Sequence, residues 1–337
     1  MPTRLTYAIL LSILSVNLCR SISAHESLYS TPGESKVIVV ETIKLEDKKR
    51  GKNIETLVRY PDGVGPFPLV IFSHGSLSNK EAFGPASEHW ASHGYVVIHP
   101  NHTDARNSIT NGGMSQSRFG GAGGNSGRVE RIKDVTSVLD TLNQVETQIP
   151  ALKGKLNRDA VAVAGHSFGA YVAQCHGGVK TLVDGKLQNL SDPRVKCVVP
   201  ISAQGESQSY GLTAESWTDA NTPAMHITGT RDRSAPDRPG GQFGDVTAKV
   251  VPFDRSPDGG KYLLIIEGAT HISFGGRLDR LQNFRMRSDR DVASLTKSIS
   301  LAFLEAYLKQ DFDAKAWLDG QHSAAWLGSQ AKLQRKL

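Results

Sequence analysis

Ser167 lies in a setting that is typical of an enzymatic nucleophile. Residues 160–164, Ala-Val-Ala-Val-Ala, run directly into residues 165–169, Gly-His-Ser-Phe-Gly, which fit the G-x-S-x-G pattern. A buried strand, this pattern and then a helix form a sharp turn that exposes the serine oxygen at the end of the strand. Such a turn needs small residues at the two glycine positions. The alternative is an ordinary glycine-bounded turn in which the serine has no chemical role.

Chemistry at Ser167 would need a base and a carboxylate, because a serine hydroxyl is a poor nucleophile by itself. His271 follows the apolar run 261–267, and Asp232 follows the apolar run 223–228. The order serine, aspartate, histidine along the chain is one of the known orders for a nucleophile, its carboxylate and its base. Both residues also have structural alternatives, since Asp232 could cap a helix or pair with a neighbouring arginine, and His271 could be a surface histidine.

Strand patterns and helical patterns alternate along the chain that carries these residues. Strand patterns are found at residues 36–45, 53–60, 67–72, 95–99, 160–164, 195–201, 223–228 and 261–267. Helical spacing is found at about residues 80–92, 128–150 and 289–310. The alternation predicts an α/β fold with a parallel sheet, and the first two strands predict an antiparallel pair at its edge. Because ligands of such sheets bind beyond the carboxyl ends of the strands, we expect Ser167, Asp232 and His271 to meet there.

Together these motifs resemble the α/β-hydrolase superfamily. More narrowly, the chain resembles the exported dienelactone-hydrolase-like and platelet-activating-factor-acetylhydrolase-like esterases. The resemblance covers about residues 36–320 and depends on residues 73–75, 165–169, 229–232 and 268–274. It implies an α/β-hydrolase fold with a mostly parallel, twisted sheet of about eight strands, helices on both faces and no large cap domain.

Carried over by position, the resemblance implies a role for each motif residue. Ser167 resembles the nucleophile, His271 the general base and acid, and Asp232 the carboxylate that orients the histidine. The backbone amides of Ser76 and Phe168 resemble the oxyanion hole. The resemblance implies neither a cofactor nor a metal, and the sequence has no divalent-metal spacing and no phosphate-binding or dinucleotide-binding motif.

The chain differs in one feature from each of the two groups of esterases. Its elbow carries serine where the true dienelactone hydrolases have cysteine, which argues against a dienelactone substrate. In the acetylhydrolases the acid follows the strand directly after the elbow, and here that place holds residues 203–206, Ala-Gln-Gly-Glu. Asp232 is therefore the predicted acid, and Glu206 remains the alternative.

Three apolar side chains are candidates for contact with the substrate. Trp217 precedes the strand that leads to Asp232, and it could line an acyl pocket or pack in the core. Met114 and Phe119 lie in the glycine-rich segment 107–127, which follows the strand ending at His99. This segment is either a flap that closes these two side chains over an acyl chain, or a surface insertion without a role.

The N-terminus predicts export. A basic start, an apolar stretch and small residues near position 24 predict a signal peptide over residues 1–24, followed by one catalytic domain over residues 25–337. The apolar stretch is too short for a comfortable membrane span, so we expect a secreted or periplasmic protein without a transmembrane anchor. In that oxidising compartment Cys175 and Cys197 could pair or remain buried free thiols.

The net charge by itself does not identify a class of binding partner. The net charge is +6 and the isoelectric point about 9.1. The basic residues are dispersed along the chain, which argues against nucleic-acid binding. We expect a monomer that acts on a small-molecule or lipid-like ester.

The function predicted from the sequence is an exported serine hydrolase that cleaves carboxylic esters through an acyl-enzyme. The alternatives within this class are a lipase or phospholipid acetylhydrolase, a polyester hydrolase and, with less support, a peptidase, because the same triad serves several reactions. The alternative outside the class is a non-catalytic binding protein on a hydrolase scaffold.

Overall fold

The structure of the protein is a computed structural model. It describes residues 29–76, 78–105, 125–233, 245–275 and 288–337 of the 337-residue chain. The predicted signal peptide lies outside the described residues, as do Met114, Phe119 and almost all of the predicted flap.

Strands and helices alternate along the described chain. The strands are β1 (Val37–Asp47), β2 (Lys52–Pro61), β3 (Phe67–Ser73), β4 (Val96–Pro100), β5 (Leu156–His166), β6 (Thr181–Val183), β7 (Lys186–Gln188), β8 (Val195–Ile201), β9 (Ala224–Arg231), β10 (Lys261–Thr270) and β11 (Ala331–Lys336). The helices are α1 (Gly84–Ser92), α2 (Asn125–Asp140), α3 (Leu142–Gln148), α4 (Phe168–His176), α5 (Val251–Arg255), α6 (Ser288–Leu308), α7 (Phe312–Asp319) and α8 (Gln321–Leu327).

A nine-stranded sheet within the described residues organises the fold, with strand order β1-β2-β4-β3-β5-β8-β9-β10-β11. The six strands from β4 to β10 in this order are parallel to one another. At one edge β1 and β2 form the expected antiparallel pair. At the other edge β11 pairs antiparallel with β10. The predicted α/β-hydrolase fold is confirmed, and no cap domain is evident among the described residues.

The structure shifts two of the predicted helices. The helix expected over residues 80–92 begins only at Gly84, because Phe83 has a left-handed backbone with φ of 58° and Pro85 then opens the first turn. The helix expected over residues 128–150 is divided into α2 and α3, because Thr141 leaves the helical conformation with φ of −113°. No helix in the described ranges is long and apolar enough to cross a membrane.

The core lies on both faces of the sheet. Val70 and Phe72 belong to one hydrophobic cluster, and the alternating residues Leu69 and Ile71 belong to another. Neighbouring residues of a strand point to opposite faces, so the two clusters lie on opposite sides of the sheet. Helices α1 and α6 cover the first cluster, and α2 and α4 cover the second.

This layering decides the state of the cysteines. Cys197 is in the first cluster and Cys175 in the second, so the sheet separates them. Both are buried free thiols, and burial raises the pKa of Cys175 to about 12. The disulfide alternative is therefore wrong.

Burial of histidine makes the fold sensitive to acid. Burial lowers the pKa of eight described histidines, namely His74, His89, His93, His99, His102, His166, His176 and His226. The pKa falls to about 4 for His89 and to about 3 for His226. An unfolded histidine takes up a proton near pH 6.5, whereas these folded ones do not. The unfolded state therefore binds more protons below pH 6.5, and the free energy of unfolding must fall as the pH falls towards 4.

We expect the urea midpoint to drop steeply between pH 6.5 and 4. His226 offers a matched test because both of its ring nitrogens are buried without a hydrogen-bond partner among the described residues. In His226→Phe the unfolded state should bind one proton fewer in this pH range. The slope of the free energy of unfolding against pH should therefore fall by about 1.4 kcal/mol per pH unit. Identical pH profiles for the two proteins would contradict this account.

Candidate active site

The elbow at Ser167 follows from crowding of the backbone. Ser167 has φ of 54° and ψ of −115°, a strained conformation between β5 and α4. A side-chain carbon on Gly169 would overlap the carbonyl oxygen of Ser73, and one on Gly165 would lie 2.8 Å from that same oxygen. The end of β3 therefore packs directly against the turn, which is why glycine is needed on both sides of the serine.

Ser167, His271 and Asp232 form a continuous hydrogen-bonded series. His271 Nε2 lies 3.0 Å from Ser167 Oγ, and His271 Nδ1 lies 3.0 Å from Asp232 Oδ1. Ser167 follows β5, Asp232 follows β9 and His271 follows β10, so three parallel strands deliver the three side chains to one edge of the sheet. The carboxylate can only accept a hydrogen bond, so His271 Nδ1–H donates to it, and Nε2 is then free to accept the serine proton.

Asp232 is fully buried and still held as a carboxylate. Burial by itself would raise the pKa of Asp232, but the hydrogen bond with His271 and the charge of Lys249 outweigh burial and lower the pKa. Thr228 Oγ1 also donates to Asp232 Oδ2 over 2.9 Å. The ammonium of Lys249 is buried as well, and it donates to the carbonyl of Ser202 over 3.2 Å.

Sequence reasoning missed Ser202. Its hydroxyl lies 2.9 Å from Asp232 Oδ1 and 2.8 Å from His271 Nδ1, so it touches both members of the pair. Ser202 directly follows β8, the strand after the elbow, and its φ of 55° turns it towards the pair. The signal available in the sequence was this position, next to the place where the resembling acetylhydrolases carry their acid.

The alternative acid and the candidate acyl-pocket residue lie elsewhere. Glu206 is exposed and forms an ion pair with Arg255, whereas Asp232 contacts His271 directly. Trp217 is fully buried in the core, and its indole N–H donates to Gln174 Oε1 over 3.0 Å. This burial favours the packing alternative for Trp217 over the prediction that it lines an acyl pocket.

The loop after β3 lies beside the elbow. A side-chain carbon on Gly75 would lie 3.6 Å from Ser167 Cβ, so the loop that leads to Ser76 passes next to the serine. Phe168 is the first residue of α4, and the first amides of a helix have no partner within the helix. Of the two predicted oxyanion amides, that of Phe168 directly follows Ser167, and that of Ser76 belongs to the loop that passes beside Ser167.

His166 connects the elbow to the loop that carries His271. Its Nε2 donates to the carbonyl oxygen of His271 over 2.7 Å, and the two rings lie 4.9 Å apart. Burial and the neighbouring charge of His271 lower the pKa of His166 to about 3. A neutral His166 therefore holds the backbone of His271 in place.

A second Ser-His-Asp series lies buried beneath the loop after β3. His102 Nε2 is 2.8 Å from Ser73 Oγ, and His102 Nδ1 is 3.0 Å from Asp134 Oδ2. Lys52 and Arg50 also contact the Asp134 carboxylate, each over 2.7 Å. Ser73 and His102 have no exposed surface, so a substrate could not reach this series in the folded protein. Among the described residues, no group of three or more His, Cys, Asp or Glu side chains is arranged to hold a metal ion.

Comparisons with known proteins give a matching family profile and several similar proteins. Residues 29–177 match the sequence profile of the chlorophyllase family. The platelet-activating factor acetylhydrolase of Cavia porcellus is 23% identical over 288 residues, which cover 74% of this chain and 60% of that protein. That of Canis lupus familiaris is 24% identical over 288 residues, which cover 73% of this chain and 59% of that protein. The resemblance to acetylhydrolase-like serine esterases is confirmed, and the chain spans about 60% of the length of these relatives.

Proposed function

We propose that this α/β-hydrolase-fold protein is a serine hydrolase that cleaves carboxylic esters through an acyl-enzyme. The observation that carries the proposal is the hydrogen-bonded series from Ser167 Oγ through His271 to Asp232, with two distances of 3.0 Å. A serine, a base and an orienting carboxylate in this geometry are the requirements for nucleophilic catalysis by serine.

In the proposed mechanism Ser167 Oγ attacks the ester carbonyl carbon while His271 Nε2 accepts the hydroxyl proton. The carbonyl oxygen becomes an oxyanion that the amides of Ser76 and Phe168 bind. Collapse of this intermediate breaks the bond to the alcohol oxygen, and His271 gives its proton to the departing alcohol. Water then repeats the sequence on the acyl-enzyme and releases the carboxylic acid.

The substrate class is proposed from the comparisons. The similar proteins are named platelet-activating factor acetylhydrolases and the matching family is named chlorophyllase, and these names favour a small-molecule or lipid-like ester. The phospholipid acetylhydrolase alternative thus has more support than the polyester hydrolase or the peptidase.

A substrate panel tests this proposal. We would measure kcat/KM for p-nitrophenyl esters from acetate to palmitate, for platelet-activating factor and for a peptide anilide. Turnover of one or more esters well above the anilide is expected. Labelling by a fluorophosphonate should accompany it, since this reagent reports an activated serine. A protein that neither labels nor turns over any ester would instead be the non-catalytic binding protein.

Export is the second part of the proposal, and it is supported by the signal-peptide pattern of residues 1–24. A mature N-terminus near His25, determined by sequencing of the protein outside the cytoplasm, is the expected result. A protein that keeps residues 1–24 would contradict it.

Ser202 is expected to support the proposed triad. Ser202→Gly removes the hydroxyl that contacts Asp232 and His271, and glycine tolerates the φ of 55° at this position. A hydrogen bond to a charged group contributes about 1.5–3 kcal/mol, so kcat should fall by about 10-fold or more while KM changes little. Wild-type kcat in Ser202→Gly would show that the hydroxyl is not needed, and loss confined to Ser202→Ala would point to backbone strain instead.

A further inference from the structure

We propose that Arg131 is a positioning residue for the oxyanion hole. This inference rests on the proposed function, in which the amides of Ser76 and Phe168 bind the oxyanion. Arg131 lies on α2, remote from Ser167 in sequence, and its side chain is 3% exposed. Its guanidinium touches the residues on both sides of the proposed hole.

The first contact is with the loop that carries Ser76. Arg131 Nη1 donates to the carbonyl oxygen of His74 by a short hydrogen bond, and Nη2 donates to that of Gly75 over 3.3 Å. His74 Nδ1 also donates to Gly75 O over 2.7 Å. Burial and the charge of Arg131 hold the pKa of His74 well below its usual value, so the ring is neutral. Its Nε2 is then free to accept from the amide of His102 over 3.2 Å.

These contacts fix the direction of the Ser76 amide. The peptide bond between Gly75 and Ser76 is trans, so its C=O and N–H point in opposite directions in one plane. Arg131, His74 and the amide of Ser78 all hold Gly75 O on one side. The Ser76 N–H must then point away from Arg131. Without the guanidinium this glycine-containing peptide could rotate and turn the amide away from the oxyanion.

The second contact is with Phe168. The guanidinium carbon of Arg131 lies 4.2 Å from the centroid of the Phe168 ring, which is a cation–π contact in a buried setting. Asp104 fixes the guanidinium plane through Nε–Oδ1 at 2.9 Å and Nη2–Oδ2 at 2.7 Å. One rigid planar group thus connects the peptide that carries the Ser76 amide with the ring of Phe168, and lysine could not reproduce this geometry.

Arg131→Met tests the inference, because methionine keeps apolar contact with Phe168 and removes the hydrogen bonds. We would measure kcat and KM for an ester and for its thiono analogue, in which sulfur replaces the carbonyl oxygen. Sulfur accepts hydrogen bonds poorly, so the ratio of the two rates reports on the hole. Loss of one oxyanion donor costs about 10²–10³ in kcat, so misplacement of one should cost about 10- to 100-fold for the oxygen ester. The thiono ester should lose less than about threefold, so the ratio falls, and KM should change little.

Arg335→Met is the matched control. Arg335 also donates to backbone carbonyls, among them those of Leu318 and Gly320 over 2.6 and 3.0 Å. Its hydrogen bonds among the described residues involve neither the loop that carries Ser76 nor Phe168, so its loss should leave the rate ratio at the wild-type value. All rates are divided by the end-point of fluorophosphonate titration, which removes any effect of misfolded protein.

Three outcomes separate the explanations. A reduced ratio in Arg131→Met, with an intermediate ratio in Arg131→Lys, supports the inference. A wild-type ratio in Arg131→Met overturns the inference and leaves the proposed function intact. If Arg131→Met does not fold, a wild-type ratio in Arg131→Lys overturns the inference instead. Wild-type protein that fails to hydrolyse any ester overturns the proposed function itself.

Discussion

Ser167→Ala is expected to lower ester turnover by a factor on the order of 10⁶ while the fold is retained. Ser167 Oγ is the oxygen within 3.0 Å of His271 Nε2, so its removal leaves only binding and oxyanion stabilisation to accelerate the reaction. Alanine also removes only one half-buried hydroxyl and leaves no large cavity, so the thermal midpoint should change little. Activity is measured with the preferred p-nitrophenyl ester, and fluorophosphonate labelling should disappear.

Two further serines act as controls for this experiment. Within the part of the chain that the structure describes, Ser298 on α6 bonds only to its own helix, through the carbonyl of Ser294, so Ser298→Ala should keep full activity and labelling. Ser73 belongs to the other Ser-His-Asp series but has no exposed surface. If labelling were lost in Ser73→Ala and kept in Ser167→Ala, the assignment of the nucleophile would be wrong.

Asp232→Asn is expected to lower kcat by a factor on the order of 10⁴, the loss seen when the corresponding aspartate of a serine protease becomes asparagine. Asparagine cannot hold the Nδ1-protonated form of His271 or stabilise the imidazolium that forms when the ring accepts the serine proton. KM should change little, because Asp232 is buried behind the histidine. Single-turnover rates with the same ester measure the effect on acylation.

Glu206→Gln is the control that decides between the two acids. Glu206 pairs with Arg255 at the surface, and exposed ion pairs contribute little to stability. We therefore expect kcat within about twofold of wild type. A large loss in Glu206→Gln together with a small loss in Asp232→Asn would assign the orienting role to Glu206.

The sequence contained most of the fold because the parallel strands are continuous apolar runs. Such runs, alternating with helical spacing, define an α/β sheet without any long-range information. The strand β11 was not predicted, since Ala331–Lys336 is largely polar and becomes a strand only by pairing with β10 at the edge. The break at Thr141 and the late start of α1 also depend on local backbone geometry that apolar spacing does not reveal.

By itself, the sequence determined the residue types of the candidate site and their place in the fold. Ser167, Asp232 and His271 each follow an apolar strand, and parallel strands end at one edge of the sheet, so their proximity could be expected before any distance was known. Only the tertiary structure decided which other groups touch them or the backbone beside them. Ser202 reaches Asp232 and His271 from the end of another strand, and Arg131 reaches the loop after β3 from α2. Serine and arginine are common and carry no motif at these positions, so their contacts depend on how strand ends and helices pack in space.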